Sequence, residues 1–478
     1  MLGHEERTVT ADTGRPVSPT AEAILGAPAG SHARAEAGWD HLRTSRRLGR
    51  TAAVTDYLLI AAGMVSLLVT DRHLVGDGAR RFDALTQLLT GGGLSTDRYS
   101  LVGPLFAAPV WWLGRAAGDP GGWITHYNLV LFALSLGLLF GLLRRRVDAV
   151  LLRRFLLLLV AGSMIAPHVS DFYGETFTAM TVGVGVLCAV AVVGHPALRA
   201  AGWVAMTLGG ANTMSTLPAL GLVGLRQGAR THRLRFVVPV LVAAVLALAE
   251  SWARRGSPFD QGYGTERFDF PVLLGVLAIL LSFGKGLVFF TPGLLLPARR
   301  RLRGLYDPAA VDLWRGQEAW LYFVAGLVVV YGGWWAWNGD LYWGPRFFLV
   351  AIFPASLALA AWLTHHDSRP SRNLALLGVL ALSLWVGANS TVFEMLLSPT
   401  CYPLATKQED FCRYGVLESR LWYPWLSWPE DLSATRWAQL HYHALVLYWL
   451  ALPVIIRSFP EVLRRVRQAV RRLPEWRL

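Results

Sequence analysis

Asp77 stands in Val75-Gly-Asp-Gly78, where a glycine on each side permits a tight turn that exposes the carboxylate. Such a carboxylate suits a general base or a group that binds a substrate hydroxyl, although an ordinary loop aspartate reads the same way. Asp171 and Glu175 fall four positions apart in His168-Val-Ser-Asp-Phe-Tyr-Gly-Glu175, at the head of an apolar run, so on a helix they would share one face. The plainer alternative is a solvated helix start favoured by the macrodipole. Lys285 is flanked by glycines in Leu280-Leu-Ser-Phe-Gly-Lys-Gly-Leu-Val-Phe-Phe290. A lysine in so apolar a setting is costly unless it snorkels or meets an anion, and the glycines would let backbone amides reach that same anion. Arg346 closes the aromatic stretch Trp334-Trp-Ala-Trp-Asn-Gly-Asp-Leu-Tyr-Trp-Gly-Pro-Arg346, which also holds Asp340. Two such cations suit a phosphate, and the acids beside them suit a sugar or a metal.

These residues sit in a chain built for lipid. Of 478 residues, 54% are hydrophobic and only 16% charged, against about 45–50% and about 25% in soluble domains, and the apolar residues arrive in blocks. The net charge of +13 is almost wholly arginine, the only lysines being Lys285 and Lys407. In a soluble protein that excess points to nucleic acid. Here the arginines cluster beyond the ends of apolar blocks, which is the pattern of the positive-inside rule, so the expected surroundings are a lipid bilayer and no nucleic acid. Three cysteines exclude a disulfide-rich scaffold or a cysteine metal cluster. Cys401 and Cys412 share one loop and read as a staple rather than a redox pair, and Cys188 reads as packing. Neither His365-His366 nor His441 with His443 makes a convincing metal site. No nucleotide-binding glycine signature occurs.

Following the arginines gives an all-α polytopic membrane protein with about 11–13 transmembrane helices. Residues 1–44 read as a disordered cytoplasmic tail, 45–459 as the membrane domain, and 460–478 as a basic amphipathic helix on the inner leaflet. The large outer loops are about 71–120, 251–283 and 394–439, with short outer turns at 171–175 and 338–345. The block 101–113 is too short and too proline-rich to span, so a surface helix is expected there. Residues 201–225 read as a hairpin of two short helices, and 270–297 as a surface helix followed by one span from near Gly284. The spans hold almost no ionisable groups, whereas transporters place them near the midplane. Charged and aromatic residues gather at one face, which favours a reaction at the outer interface.

Five motifs occur in order over 71–354: Gly76-Asp77 after the first span, Tyr99-Ser-Leu-Val-Gly-Pro104, Phe172-Tyr-Gly-Glu175, Ser282-Phe-Gly-Lys-Gly-Leu287 with Thr291-Pro292, and Trp343-Gly-Pro-Arg346. Together they resemble the GT-C superfamily of polytopic glycosyltransferases, especially its bacterial protein-mannosyltransferase-like and lipid-A-arabinosyltransferase-like branches. The resemblance implies a GT-C-like fold whose first outer loop carries juxtamembrane helices. It implies transfer of a hexose or pentose from a polyprenyl-phosphate-linked donor to an envelope glycan, lipid or protein. The reaction would lie on the outer face of a bacterial cytoplasmic membrane, with both termini cytoplasmic.

On this resemblance Asp77 is the catalytic base or acceptor binder, Asp171 and Glu175 assist with substrate or a metal, and Lys285 and Arg346 hold the lipid phosphate beside Asp340. Many relatives carry two adjacent acids in the first loop, whereas here Gly78 follows Asp77 and Arg80 and Arg81 come next, which makes Asp83 a substitute base. Relatives differ over metal dependence, so a divalent metal stays open. The alternative function is a transporter or flippase of lipid-linked sugars, and a third is a scaffold acting through the stapled loop.

Overall fold

The computed structural model describes residues 30–264, 266–339, 342–365, 369–401 and 409–472. Asp340, part of the expected tail (1–29) and 473–478 lie outside the described residues. Those described form helices, with only two isolated β-bridges, Val147 to Tyr306 and Val192 to Val311. In chain order the helices of ten residues or more are α1 (Gly30–Leu68), α2 (Gly76–Leu89), α3 (Tyr127–Leu143), α4 (Ala149–Ala161), α5 (Gly174–Val186), α6 (Pro196–Asn212) and α7 (Leu217–Thr231). They continue as α8 (Val238–Arg255), α9 (Val272–Leu281), α10 (Leu313–Gly332), α11 (Ile352–Thr364), α12 (Pro370–Val392) and α13 (Ala434–Arg472).

The chain divides at Val54/Thr55 into two compact units. The described part of the first is the opening of α1. That helix starts at Gly30, inside the stretch expected to be disordered, where Ala33, Ala35 and Ala37 supply strong helix formers. All that follows concerns the second unit.

Seven helices are long and apolar enough to cross a membrane: Gly49–Leu68, Pro120–Leu143, Gly174–Ala191, Leu234–Arg255, Arg346–Thr364, Pro370–Val392 and Ala434–Arg465. Backbone contacts define the two ends of the bundle. At one end the arginine-rich turns meet: Asp307 N donates to Arg146 O at 2.8 Å, Asp148 N to Leu305 O at 2.7 Å, and Asp312 N to Ala191 O at 2.8 Å. At the other end Arg72 Nη1 donates to Thr125 O and Val169 O, and the Asn212 amide donates to Gly174 O. Shorter runs cover the same distance. α4, whose N-terminus is capped by the Asp148 carboxylate, leads from the arginine end through Pro167 to Val169. α6 and α7 form the expected hairpin, with Asn212 at the far end and Arg230 back beside Glu318.

The stretch 270–297 breaks where expected. α9 exposes Val272, Leu273, Leu277 and Leu281, the chain turns at 282–286, and the continuation descends beside α11, with Gly293 against the Ala355 carbonyl. The proline-rich block after the first loop forms two short helices, Val102–Phe106 and Ala108–Ala116, that expose Leu105, Phe106, Trp112 and Leu113. Two local expectations are corrected. α13 runs unbroken through Pro453 and Pro460 to Arg472, so the basic segment continues the preceding helix instead of forming its own. One buried ion pair also lies inside the bundle: Arg153 Nε donates to Asp56 Oδ2 at 2.7 Å, and Trp449 Nε1 to Asp56 Oδ1 at 2.8 Å, tying α1, α4 and α13 together.

Candidate functional site

The end of the bundle opposite the arginine-rich turns gathers the expected site residues. Val75 is extended and Gly76 takes a positive φ of 52°, so α2 starts abruptly and Asp77 falls in its first turn, where the macrodipole favours a carboxylate. Asp77 Oδ1 accepts from the Tyr99 hydroxyl and Oδ2 from Arg346 Nη1 at 2.9 Å. Burial pushes the Asp77 carboxyl up, but Arg346, the Tyr99 hydroxyl and Arg81 outweigh it and hold the group below the usual carboxylate range. Asp77 is therefore an ionised carboxylate with one lone pair on each oxygen still open to a substrate.

Tyr99 is held from behind. At the end of α8, the Arg254 guanidinium donates to Ser95 O, Asp97 O and Tyr99 O, and Glu250 accepts from Ser100 Oγ at 2.7 Å and Leu101 N at 2.6 Å. Arg98 bridges to Glu266 at 2.6 Å, which joins the first outer loop to the one after α8.

Arg346 stands among the rings of Tyr173, Tyr342 and Phe347, each within 5.0 to 5.6 Å, and its Nε lies 3.8 Å from Glu175 Oε1. The positive charge between Asp77 and Glu175 is thus a guanidinium, in the position a divalent cation bridging those acids would need. Among the described residues no three His, Cys, Asp or Glu side chains group as a metal site. The acids present do not fit a bridging metal.

Asp171 and Glu175 do not share a helical face. Asp171 sits in the turn before the extended Tyr173, and only Glu175 lies on α5. Asp171 is 3% exposed, its Oδ1 accepts from Phe172 N, and a Cβ on Gly78 would lie 2.1 Å from that oxygen. Burial raises its carboxyl to about 7, and the nearby Asp77 and Glu175 charges add to the shift. Asn128 fixes this turn by donating to the carbonyls of His168, Asp171 and Tyr173.

Lys285 is buried at 6% exposure, and its ammonium donates to the carbonyls of Tyr342 and Gly344. The structure gives this cation backbone partners, in the loop that delivers Arg346. Asp83 is exposed and takes no part in the network, because six positions along α2 turn it away from Asp77.

No protein-family model, curated protein or solved structure matches the chain. Its chemistry must be argued from this cluster alone.

The residue that sequence reasoning passed over is Arg81. It is 7% exposed, stacks 4.6 Å over the Tyr99 ring, and crowds Gly174 at the head of α5. Its Nε and Nη1 have no hydrogen-bond acceptor. A buried guanidinium with unfilled donors beside an uncapped helix N-terminus is a place for an anion. The available signal was its spacing, four positions after Asp77 on the amphipathic α2. Also passed over was His168, fully buried with Nε2 unpartnered, Nδ1 on Met164 O and its ring against Tyr342. Burial holds that imidazole neutral, at about 3.

Proposed function

We propose that this protein is a GT-C-like membrane glycosyltransferase that transfers a sugar from a polyprenyl-phosphate donor to a cell-envelope acceptor at the outer face of the bacterial cytoplasmic membrane. The observation that carries the reading is the pairing, in one buried cluster at the helix ends, of an ionised carboxylate with two guanidinium groups, one of which has donors to spare. A lipid-phosphate donor needs that combination: a base for the acceptor hydroxyl and cations for the departing phosphate.

In this mechanism the acceptor hydroxyl is oriented by Asp77 and gives up its proton to it while its oxygen attacks the anomeric carbon. The bond from that carbon to the phosphate oxygen breaks, and the electron pair leaves with the polyprenyl phosphate, inverting the configuration. Arg81 takes the phosphate through Nε and Nη1, and Arg346 stabilises the charge from the other side. Asp171 and Glu175 hold sugar hydroxyls. Lys285 acts through the loop before Arg346. The breaking sugar–phosphate bond supplies the driving force, so no nucleotide site is called for, and no step passes through a metal.

The meeting of arginine-rich turns at the opposite end supports a cytoplasmic assignment for that end and for both termini. The Cys401–Cys412 disulfide near the cluster supports an oxidising compartment on its side. With the shorter runs added to the seven long helices, the chain path supports 11–13 crossings.

Purified protein in nanodiscs, given radiolabelled polyprenyl-phosphate sugars and envelope acceptors, should transfer label. Movement of labelled lipid across a vesicle without a new glycosidic bond would make it a flippase instead.

A further inference from the structure

We infer that the Cys401–Cys412 disulfide is a positioning device for Arg346 that works through Lys285, so that reducing the staple loosens the cation facing Asp77. Only the affinity readout below rests on the proposed transfer reaction.

The contacts form one continuous path. Cys401 and Cys412 are bonded, and the short helices at Pro399–Cys401 and Glu409–Tyr414 flank the closed loop. Immediately beyond the staple, Arg413 O accepts from Gly284 N at 3.2 Å, and Ser419 Oγ donates to Phe283 O at 3.0 Å. The approach is close enough that a Cβ on Gly284 would lie 2.1 Å from Cys412 O and 2.6 Å from Arg413 O. Tyr414 packs on Trp337 with centroids 5.8 Å apart.

The stapled segment therefore grips the turn that carries Lys285. The buried ammonium next grips Tyr342 O and Gly344 O, and charged donors with little water around them bind carbonyls firmly. Gly344, at a φ of 68°, then turns the chain through Pro345 into Arg346, which reaches Asp77 and Glu175. Lys285 is a positioning residue on this path, and the disulfide limits how far its turn can wander.

The test uses the full chain in nanodiscs, oxidised or treated with a water-soluble phosphine. The reagent reduces the disulfide to two thiols and becomes its oxide, with water supplying the oxygen and the protons. Hydrogen exchange over 282–290 and 342–349 should accelerate about tenfold on reduction, with α5 and α10 unchanged, and polyprenyl phosphate should bind about tenfold more weakly as preorganisation is lost. Cys401→Ser/Cys412→Ser should match the reduced protein and ignore the phosphine. Lys285→Met should speed exchange at 342–349 with the disulfide intact, and reduction should then add nothing there while still loosening 282–286. Unchanged exchange at 342–349 on reduction, or a full reductant effect there in Lys285→Met, would overturn the inference. If the oxidised wild type binds no polyprenyl phosphate, the donor assignment fails while the exchange data still decide the relay.

Discussion

Arg346 Nη1 donates to Asp77 Oδ2 at 2.9 Å across 269 positions of sequence. The bond joins the first turn of α2 to the threshold of α11 and sets the protonation state of the cluster. Because the same guanidinium also faces Glu175, one cation holds two acids, and a substrate entering the cluster meets an already organised electrostatic field.

Asp77→Asn keeps the shape and both partners but removes the charge and the basicity. Transfer of labelled sugar should fall at least about 100-fold, the low end for loss of a positioned base, with thermal stability within a few degrees of wild type. Asp83→Asn, on an exposed position, should transfer normally. Equal transfer by Asp77→Asn would end the role assigned to it.

Arg81→Met separates binding from stability. A buried guanidinium with unfilled donors costs the empty protein free energy, so the apolar replacement should leave the melting temperature unchanged or raised. The affinity for polyprenyl phosphate should fall about tenfold or more, the usual worth of a charge-assisted contact. A drop in stability with unaltered affinity would make Arg81 a structural residue.

Gly78→Ala should be among the most damaging single-carbon changes in the chain. The new methyl would meet Asp171 Oδ1 at 2.1 Å and the Phe172 backbone at 3.3 Å, forcing α2 off the Asp171 turn. Gly137→Ala, with nothing within 4 Å, is the matched control and should be neutral or slightly stabilising. Melting temperatures of the two variants in one detergent make the comparison.

Asp171 sets a pH dependence whose sign follows from its raised carboxyl. The folded state holds the proton to about 7 and the unfolded chain only to about 3.8. The contribution is therefore whole below about 3.8 and is lost as pH rises through about 7. Asp171→Asn, which imitates the protonated acid, should melt with the wild type at pH 4 and above it at pH 8. Parallel melting curves across that range would contradict the assignment.

The pair Asp56 and Arg153 should behave as buried ion pairs do. Asp56→Ala strands Arg153 and should cost about 3–5 kcal/mol, whereas Asp56→Ala combined with Arg153→Leu should recover most of it. The thermal midpoints of the two variants decide whether the pair exists.

The sequence by itself determined the membrane character, the proline-broken surface helices, the α6–α7 hairpin and the break near Gly284. These follow from length, hydropathy and proline or glycine placement, which act over a few neighbouring residues. It also marked Asp77, Glu175, Lys285 and Arg346, because charge in apolar or glycine-flanked settings is conspicuous wherever it occurs. It could not say that Lys285 would satisfy carbonyls, that Asp83 would face away, or that Asp171 would leave the helix carrying Glu175. Nor could it distinguish Arg81 and Arg153 from the many arginines that only mark topology, since a guanidinium's role depends on what lies within about 4 Å of it. Those partners come from segments far apart in the chain, and only the packing of the helix ends brought them together.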